Sequence, residues 1–367
     1  MLFIAVDDLR PELGCYGHKW IKSPNIDKLA AGGTVFNRAY CQVAVCGASR
    51  ASLLTGLRPT PKRFLTYYTH AEKDAPGVMT LPGEFRKNGY ECISNGKIFH
   101  HRNDTEKQSW TDPAWRPRVG GAVCLDPKSK KLKGGKKNRG PWFEGPDVPD
   151  NAYQDGKVAD KTIADLKRMK TSGKPFFLAC GIYRPHVPWF VPRKYFEMFP
   201  LDKIQLPPKK LDDYSDIPKG APRRGACVYY RVLEANGYHK QAVQAYLASI
   251  AYVDDLVGRL LKNLEASGYG DDTVVVFSAD HGWHLGEKLT YRKFTLWEEA
   301  CRVPLIISLP KSMRGDQRRG ATCSRTVNLL DLYPTLVDLC GVKAPRQRLD
   351  GHSLTPLLKN PAASWAH

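Results

Sequence analysis

Residues 273–278 read T-V-V-V-F-S and Phe176–Ile182 reads F-F-L-A-C-G-I, two short runs with no clear polar face. A strand that is apolar on both sides must be covered on both sides, which points to the interior of a mostly parallel sheet between layers of helices. Leu2–Val6, residues 90–94 and residues 304–309 repeat the pattern. Helical stretches fall between them. Residues 24–31 are framed by Ser23 as N-cap and by Gly32 and Gly33 as a stop. Residues 49–57, 81–88 and 157–169 follow, and residues 329–339 form one more helix, interrupted early by Pro334. The longest lies at about His239–Ala266, where Val243, Tyr246, Leu247, Ile250, Val253, Val257, Leu260, Leu261 and Leu264 recur at spacings of three and four. That period predicts a helix lying along the sheet. The alternation is that of an α/β protein, and the chain carries no internal repeat.

Composition narrows the class further. With 367 residues, 42% hydrophobic and 25% charged, the chain is neither disordered nor a disulfide framework. The longest apolar runs, 176–180 and 303–309, fall well short of the ~20 residues that span a bilayer, so no membrane span is expected. The opening M-L-F-I-A-V-D-D reads directly as a buried strand with no basic region or cleavage site before it, so any leader is expected to have been removed. Ten cysteines form no C-x-x-C pair, which excludes a zinc ribbon or thioredoxin motif and leaves disulfides open. Lys and Arg number 56 against 37 Asp and Glu, a net +19. Such a surface attracts polyanions: nucleic acid, phospholipid, or sulfated and carboxylated sugars. No helix-turn-helix, zinc-finger or single-strand-binding motif supports nucleic acid. Two stretches break the α/β rhythm. Residues 102–150 are rich in Gly, Pro, Lys and Arg, with nine basic residues against the single acid Asp126 over 116–139. Residues 207–237 hold Arg223, Arg224 and several tyrosines. Loops of this length are either surface insertions or substrate contacts.

Asp7 and Asp8 follow the first strand, and Asp280 and His281 follow residues 273–278. Ligands of parallel sheets collect beyond the carboxyl ends of the strands, so these side chains are expected to share one rim. At ~4 Å and an effective dielectric near ~20, each pair of carboxylates repels by about 4 kcal/mol. Protons or a divalent cation must compensate, and an oxygen-rich set suits Ca²⁺ or Mg²⁺ better than zinc. The bland alternative is that Asp at a strand end simply caps a turn.

A sharper signal is C-G-A-S-R at 46–50, continued by A-S-L-L-T-G-L-R-P to residue 59. It stands in order with V-D-D-L-R-P-E-L-G-C-Y-G at 6–17, S-P-N-I-D-K-L-A at 23–30, G-K-I-F-H at 96–100, R-P-H-V-P-W at 184–189 and D-H-G-W-H-L-G-E at 280–287. This set resembles the sulfatases, and within them the iduronate-2-sulfatase-like branch, from residue 2 to about residue 310. Ala48 departs from the proline commoner at that motif position, which leaves open which maturation enzyme accepts the site. A competing reading takes G-A-S-R-A at 47–51 as a nucleophile elbow around Ser49, although its last glycine is missing.

The resemblance implies an alkaline phosphatase-like three-layer sandwich, with a mixed, mostly parallel sheet between helices. It implies a catalytic domain over residues 1–345, carrying the basic insertion at about 102–150. Residues 346–367 would begin a smaller C-terminal subdomain, most of which is absent because the chain is trimmed or the remainder is a separate chain. Cys46 would be converted to formylglycine by a maturation enzyme. Asp7, Asp8, Asp280 and His281 would hold Ca²⁺, or Mg²⁺, together with the oxygen of modified Cys46; the family more often has Asn at the place of His281, and the iduronate-type branch has His. Arg50, one helical turn beyond Cys46, would support the aldehyde hydrate. Lys97 and Lys293 would grip the sulfate oxygens, with Lys288 and Arg292 as neighbours competing for the second place. By the same resemblance, one hydroxyl of the hydrate would attack sulfur, and the alcohol would leave with a proton from His186 or Lys293. His100 would deprotonate the second hydroxyl, which would then expel sulfate. With the cation bound, the lysines and arginine outnumber the remaining negative charge, as a site for an anionic ester requires. The implied substrate is a sulfated polysaccharide or glycosaminoglycan-type sugar, and the implied setting is periplasmic, extracellular or lysosome-like. The rivals are a phosphatase or phosphonate monoester hydrolase of the same superfold, and a non-catalytic polyanion binder in which Cys46 stays a thiol.

Overall fold

The computed structural model describes residues 1–118, 125, 142–210, 212–218, 226–314 and 319–366. Most of the basic stretch 116–139, together with Cys124, Arg223 and Arg224, lies outside the described residues. The sheet is built from β1 (Leu2–Val6), β2 (Thr34–Tyr40), β3 (Glu91–Gly96), β4 (Phe176–Ile182), β5 (Val275–Ala279), β6 (Leu305–Ser308) and β7 (Ala321–Asn328), in the order β7-β2-β6-β5-β1-β4-β3. Arg302–Val303 adds a short antiparallel pairing at the end of β2. Apart from that piece, only β6 runs against the others, so the sheet is mixed and mostly parallel as expected.

Helices α1 (Pro24–Gly32), α4 (Gln154–Ser172) and α5 (His239–Ala266) pack together on one face. Helices α2 (Cys46–Thr55), α3 (Leu81–Lys87) and α6 (Leu332–Cys340) pack together on the other. The three-layer sandwich follows from the central strands: every residue of β1, β4 and β5 is buried. At roughly 1.5–3 kcal/mol for each large apolar side chain removed from water, these strands dominate the core.

Two strands lie outside the sequence expectations. β2 carries Asn37 and Arg38 in its second half, and β7 alternates Cys323 and Val327 with exposed polar residues, as an edge strand does. Helix α2 begins three residues before the expected Ser49 and ends at Gly56, whose φ of 68° is left-handed. Pro334 sits in the first turn of α6, where no intrahelical donor is lost. Residues 346–366 pack back on the body: Leu354, Leu357 and Leu358 are buried in the same core, and Asp350 accepts from the Arg58 amide at 2.8 Å. The nine described cysteines are free thiols. No described helix is long and apolar enough to cross a membrane.

Because β1, β3, β4 and β5 run in one direction, their carboxyl ends form one rim. The ladder continues one residue beyond the strands. The amide of Asp7 donates to Ile182 O at 3.0 Å, that of Asp280 to Val6 O at 3.1 Å, and that of Lys97 to Gly181 O at 2.9 Å. Three functional side chains are thereby fixed by backbone hydrogen bonds.

Candidate active site and metal centre

The rim brings together the acidic residues that the sequence placed there. Asp7, Asp8, Asp280 and His281 are all buried, and Cys46 joins them from the first turn of α2. Asp8 has φ of 62°, a conformation that costs a non-glycine residue and so marks a constrained position. Tyr246, on α5, holds it there: its hydroxyl donates to Asp8 O at 2.8 Å and accepts from the Arg10 amide at 3.1 Å. Asp280 Oδ1 accepts the amides of His281 at 2.9 Å and Asp8 at 3.3 Å.

Arg50 is buried and spends its guanidinium on the scaffold. Its Nε donates to Asp280 Oδ2 at 2.7 Å, and Nη1 donates to the carbonyls of Lys97 and, at 2.9 Å, Ile98. It therefore ties α2 to the ends of β5 and β3. Ser49 is buried and donates to Asp280 O at 2.5 Å, so the nucleophile-elbow reading fails: its hydroxyl supports the rim and faces no cleft.

The lysines sort cleanly. Lys97 pairs with Asp7 and lies over the Tyr183 ring at 5.3 Å. Lys293 pairs with Asp8 at 2.5 Å and lies over Trp283 at 5.2 Å. Lys288 instead pairs with Asp213 at 2.6 Å, and Arg292 lies over Tyr229, so of the three neighbours Lys293 is the one directed at the carboxylates. His186 Nδ1 faces Val187 O at 2.5 Å and so carries the proton, leaving Nε2 to point at Asp8 Oδ2, 3.9 Å away.

These neighbours set the charge states. Burial pushes the Cys46 thiol up, but Lys293, Lys97 and hydrogen bonds from His100 and His186 outweigh it and hold it well below its ordinary value. Burial and Cys46 push Asp7 up, yet Lys97, His186 and Arg50 bring it well below the usual carboxylate range. Burial, the largest single influence, pulls His281 down, but Asp280 and Cys46 together outweigh it and lift the imidazole to about 9.

The donor set fits a divalent cation. One ligand atom from each of Asp7, Cys46, Asp280 and His281 falls within 4.8 Å of the others, and Asp8, Cys46 and His186 form a second such group. Asp7 Oδ1, Asp8 Oδ2 and His281 Nε2 are buried without hydrogen-bond partners among the described residues. Buried acceptors are rarely left unpaired, and three around one point are what a cation satisfies. The carboxylates are hard ligands suited to Ca²⁺ or Mg²⁺, whereas the Cys46 sulfur is mismatched and an oxygen in its place would not be.

Sequence reasoning overlooked several supports. Arg116, read only as the start of the basic stretch, donates to Gly96 O at 3.2 Å, Phe99 O at 2.5 Å, His100 O at 3.2 Å and Tyr183 Oη at 3.3 Å, clamping the segment that carries Lys97 and His100. Asp155, at the start of α4, accepts the amides of Tyr183 and Arg184 at 2.9 Å each and so positions the turn bearing His186. Nothing in the local sequence sets either apart from an ordinary surface charge.

This sandwich, with its Cys/Asp/His cluster at the strand ends, defines a hydrolase of the alkaline phosphatase superfamily. The chain belongs to the sulfatase family, whose model, described as Sulfatase, matches residues 1–342. It is 33% identical over 392 residues to iduronate 2-sulfatase of Homo sapiens, covering 94% of this chain and 69% of that protein. Among solved structures it resembles the phosphonate monoester hydrolase of Agrobacterium radiobacter with a TM-score of 0.78 at 23% identity, over 98% of this chain and 76% of that one. A protein solved in complex with its substrate D-glucosamine-2-N,6-O-disulfate superposes with a TM-score of 0.71 at 23% identity, over 98% of this chain and 80% of that one.

Proposed function

We propose that the chain hydrolyses a sulfate monoester on a polysaccharide or glycosaminoglycan-type sugar, with formylglycine derived from Cys46 as nucleophile and Ca²⁺ or Mg²⁺ at the carboxylates. The observation that carries this reading is the placement of Cys46: it lies within ligand distance of Asp7, Asp280 and His281. Around it stand Lys97, Lys293, His100 and His186, whose charges and hydrogen bonds draw its thiol down. Formylglycine would supply a carbon bearing two oxygens beside a cation that neutralises the rim, which neither Ser nor Cys offers.

The chain's own residues do the rest. Asp7, Asp8, Asp280 and His281 hold the cation. Lys97 and Lys293 present their ammonium groups to the sulfate oxygens. His186, half-buried on the Asp8 side, would deliver a proton from Nε2 to the departing sugar oxygen as the imidazolium, ending as the neutral ring with its Nδ1 proton still on Val187 O, and His100 takes a proton on the Cys46 side. Arg50 orients Asp280 through its Nε and opposes the burial that pushes that carboxyl up. A sugar substrate is supported by the net +19 charge and by the likeness to iduronate 2-sulfatase, and the iduronate-type branch by the shared motifs.

Two measurements test it. A peptide spanning Cys46 should weigh about 18 Da less than its thiol form. The protein should also turn over nitrophenyl sulfate and sulfated oligosaccharides faster than nitrophenyl phosphate. An unmodified thiol in active protein would sink the nucleophile assignment, and a preference for the phosphate would make the chain a phosphatase or phosphonate hydrolase.

A further inference from the structure

Tyr67 and Tyr68 set two aromatic rings side by side in solvent. They are 43% and 68% exposed, with ring centroids 4.0 Å apart. The segment that carries them is firmly held. Phe64 anchors it in the core, and a Cβ at Gly47 would meet Tyr67 O at 2.6 Å and Thr66 O at 2.7 Å. The loop backbone therefore lies directly on the first turn of α2, beside Cys46, at a residue that must lack a side chain for it to do so. His101 stacks flat on His70, with ring centroids 3.8 Å apart at 3°. The Tyr67 ring meets His100 edge-on, with centroids 6.4 Å apart. Arg58, Lys62 and Arg63 lie on the same loop; Arg63 donates to Arg58 O at 2.8 Å, and none of the three has a carboxylate partner within ion-pair distance among the described residues.

A loop whose only task is to connect needs no packed support for exposed rings. The faces of a pyranose are lined with C–H groups that suit an aromatic π-face, and rigid tyrosines lose little entropy on contact. Cations without a carboxylate partner on the same loop suit a sugar that also carries sulfate or carboxylate. We propose that Tyr67 and Tyr68 form a stacking platform for the sugar residue adjoining the one that carries the scissile sulfate, with Lys62 and Arg63 serving its anionic groups. The inference deepens the proposed sulfatase reading and rests on it for the orientation of the sugar. The platform selects oligosaccharides over small esters without touching the reacting atoms.

The test compares the parent protein with Tyr67→Ala/Tyr68→Ala and Tyr67→Phe/Tyr68→Phe, on 4-nitrophenyl sulfate and on a heparin tetrasaccharide, with calorimetric titration of the tetrasaccharide alongside. The alanine pair should raise the tetrasaccharide KM and dissociation constant about tenfold while kcat stays within about twofold, the pattern of lost uniform binding. Turnover of the small ester should stay within about twofold, and the phenylalanine pair should restore tetrasaccharide binding. An unchanged tetrasaccharide affinity, equal losses on both esters, or a parent protein that does not bind the tetrasaccharide would overturn the platform. A parent that turns over neither ester would instead fail the sulfatase reading, while the titration still decides the platform.

Discussion

At the scale of single residues, burial and charge do opposite things to two histidines of one motif. His281 is shifted above its ordinary value by Asp280 and Cys46 against burial, whereas His284, three residues on, is buried with Nε2 on Thr295 Oγ1 at 2.8 Å and Nδ1 without a partner among the described residues. Burial drives His284 down to about 4, with Glu287 opposing weakly. Its folded value lies below the ordinary ~6.5, so on acidification the unfolded chain takes up the proton first. The contribution of this neutral imidazole to stability is complete above about pH 6.5 and falls by about 1.4 kcal/mol per pH unit until it is exhausted near about pH 4. Urea unfolding at pH 7 and pH 4.5 should therefore show a loss about 2 kcal/mol smaller in His284→Gln than in the parent; equal losses would show that another group sets the acid limit. The sequence shows both histidines in D-H-G-W-H but says nothing of their depth, so only the one beside Asp280 stood out as functional.

At the scale of elements, the rim depends on how closely β3 and β4 approach at their ends. Gly96 pairs with Gly181 in register, a Cβ on Gly181 would lie 2.2 Å from Lys97 O, and one on Gly96, at φ 78°, would lie 2.0 Å from Gly181 O. Lys97 O also accepts from Arg50, so displacing it disturbs both the lysine and the arginine anchor. Gly181→Ala should cost about 2–3 kcal/mol of stability and lower nitrophenyl sulfate kcat/KM at least about tenfold through the misplaced Lys97. Gly89→Ala, which strains a left-handed turn in open space, should cost about 1 kcal/mol and leave turnover intact. Full activity in Gly181→Ala would show that the rim tolerates the shift. The same geometry explains what the sequence reveals. β1, β4 and α5 could be read because their burial is continuous or strictly periodic, and their observed limits coincide with the expected ones. β2 and β7 could not, because near a sheet edge half of each strand faces water and its composition resembles a loop. The start of α2 was hidden as well: Val45 is its N-cap and offers no capping side chain. The clustering of the candidate site residues was legible through ordered motifs, whereas Arg116, Asp155 and Tyr246 act on backbone atoms far away in sequence and leave no local mark.

At the scale of the whole molecule, two populations of charge answer differently to salt. Asp7, Asp8, Asp280, Arg50, Lys97 and Lys293 are buried and neutralise one another at short range, where counterions do not enter. The net +19 resides in the remainder, mostly solvated, and acts over distances that ~0.1 M salt cuts to about 10 Å. On the proposed reading, a small aryl sulfate carries a single charge and would be gripped by the buried lysines alone. A sulfated oligosaccharide carries several charges and feels the outer field before it docks, which raises its encounter rate. Raising NaCl from 50 to 500 mM should therefore lower kcat/KM for a sulfated tetrasaccharide about tenfold, through KM, and that for nitrophenyl sulfate by less than about twofold. Parallel salt curves for the two esters would mean that the basic surface takes no part in substrate capture and that selection rests on the cleft alone. A fall in kcat for both would instead place the salt effect within the buried rim, against the shielding that its depth provides.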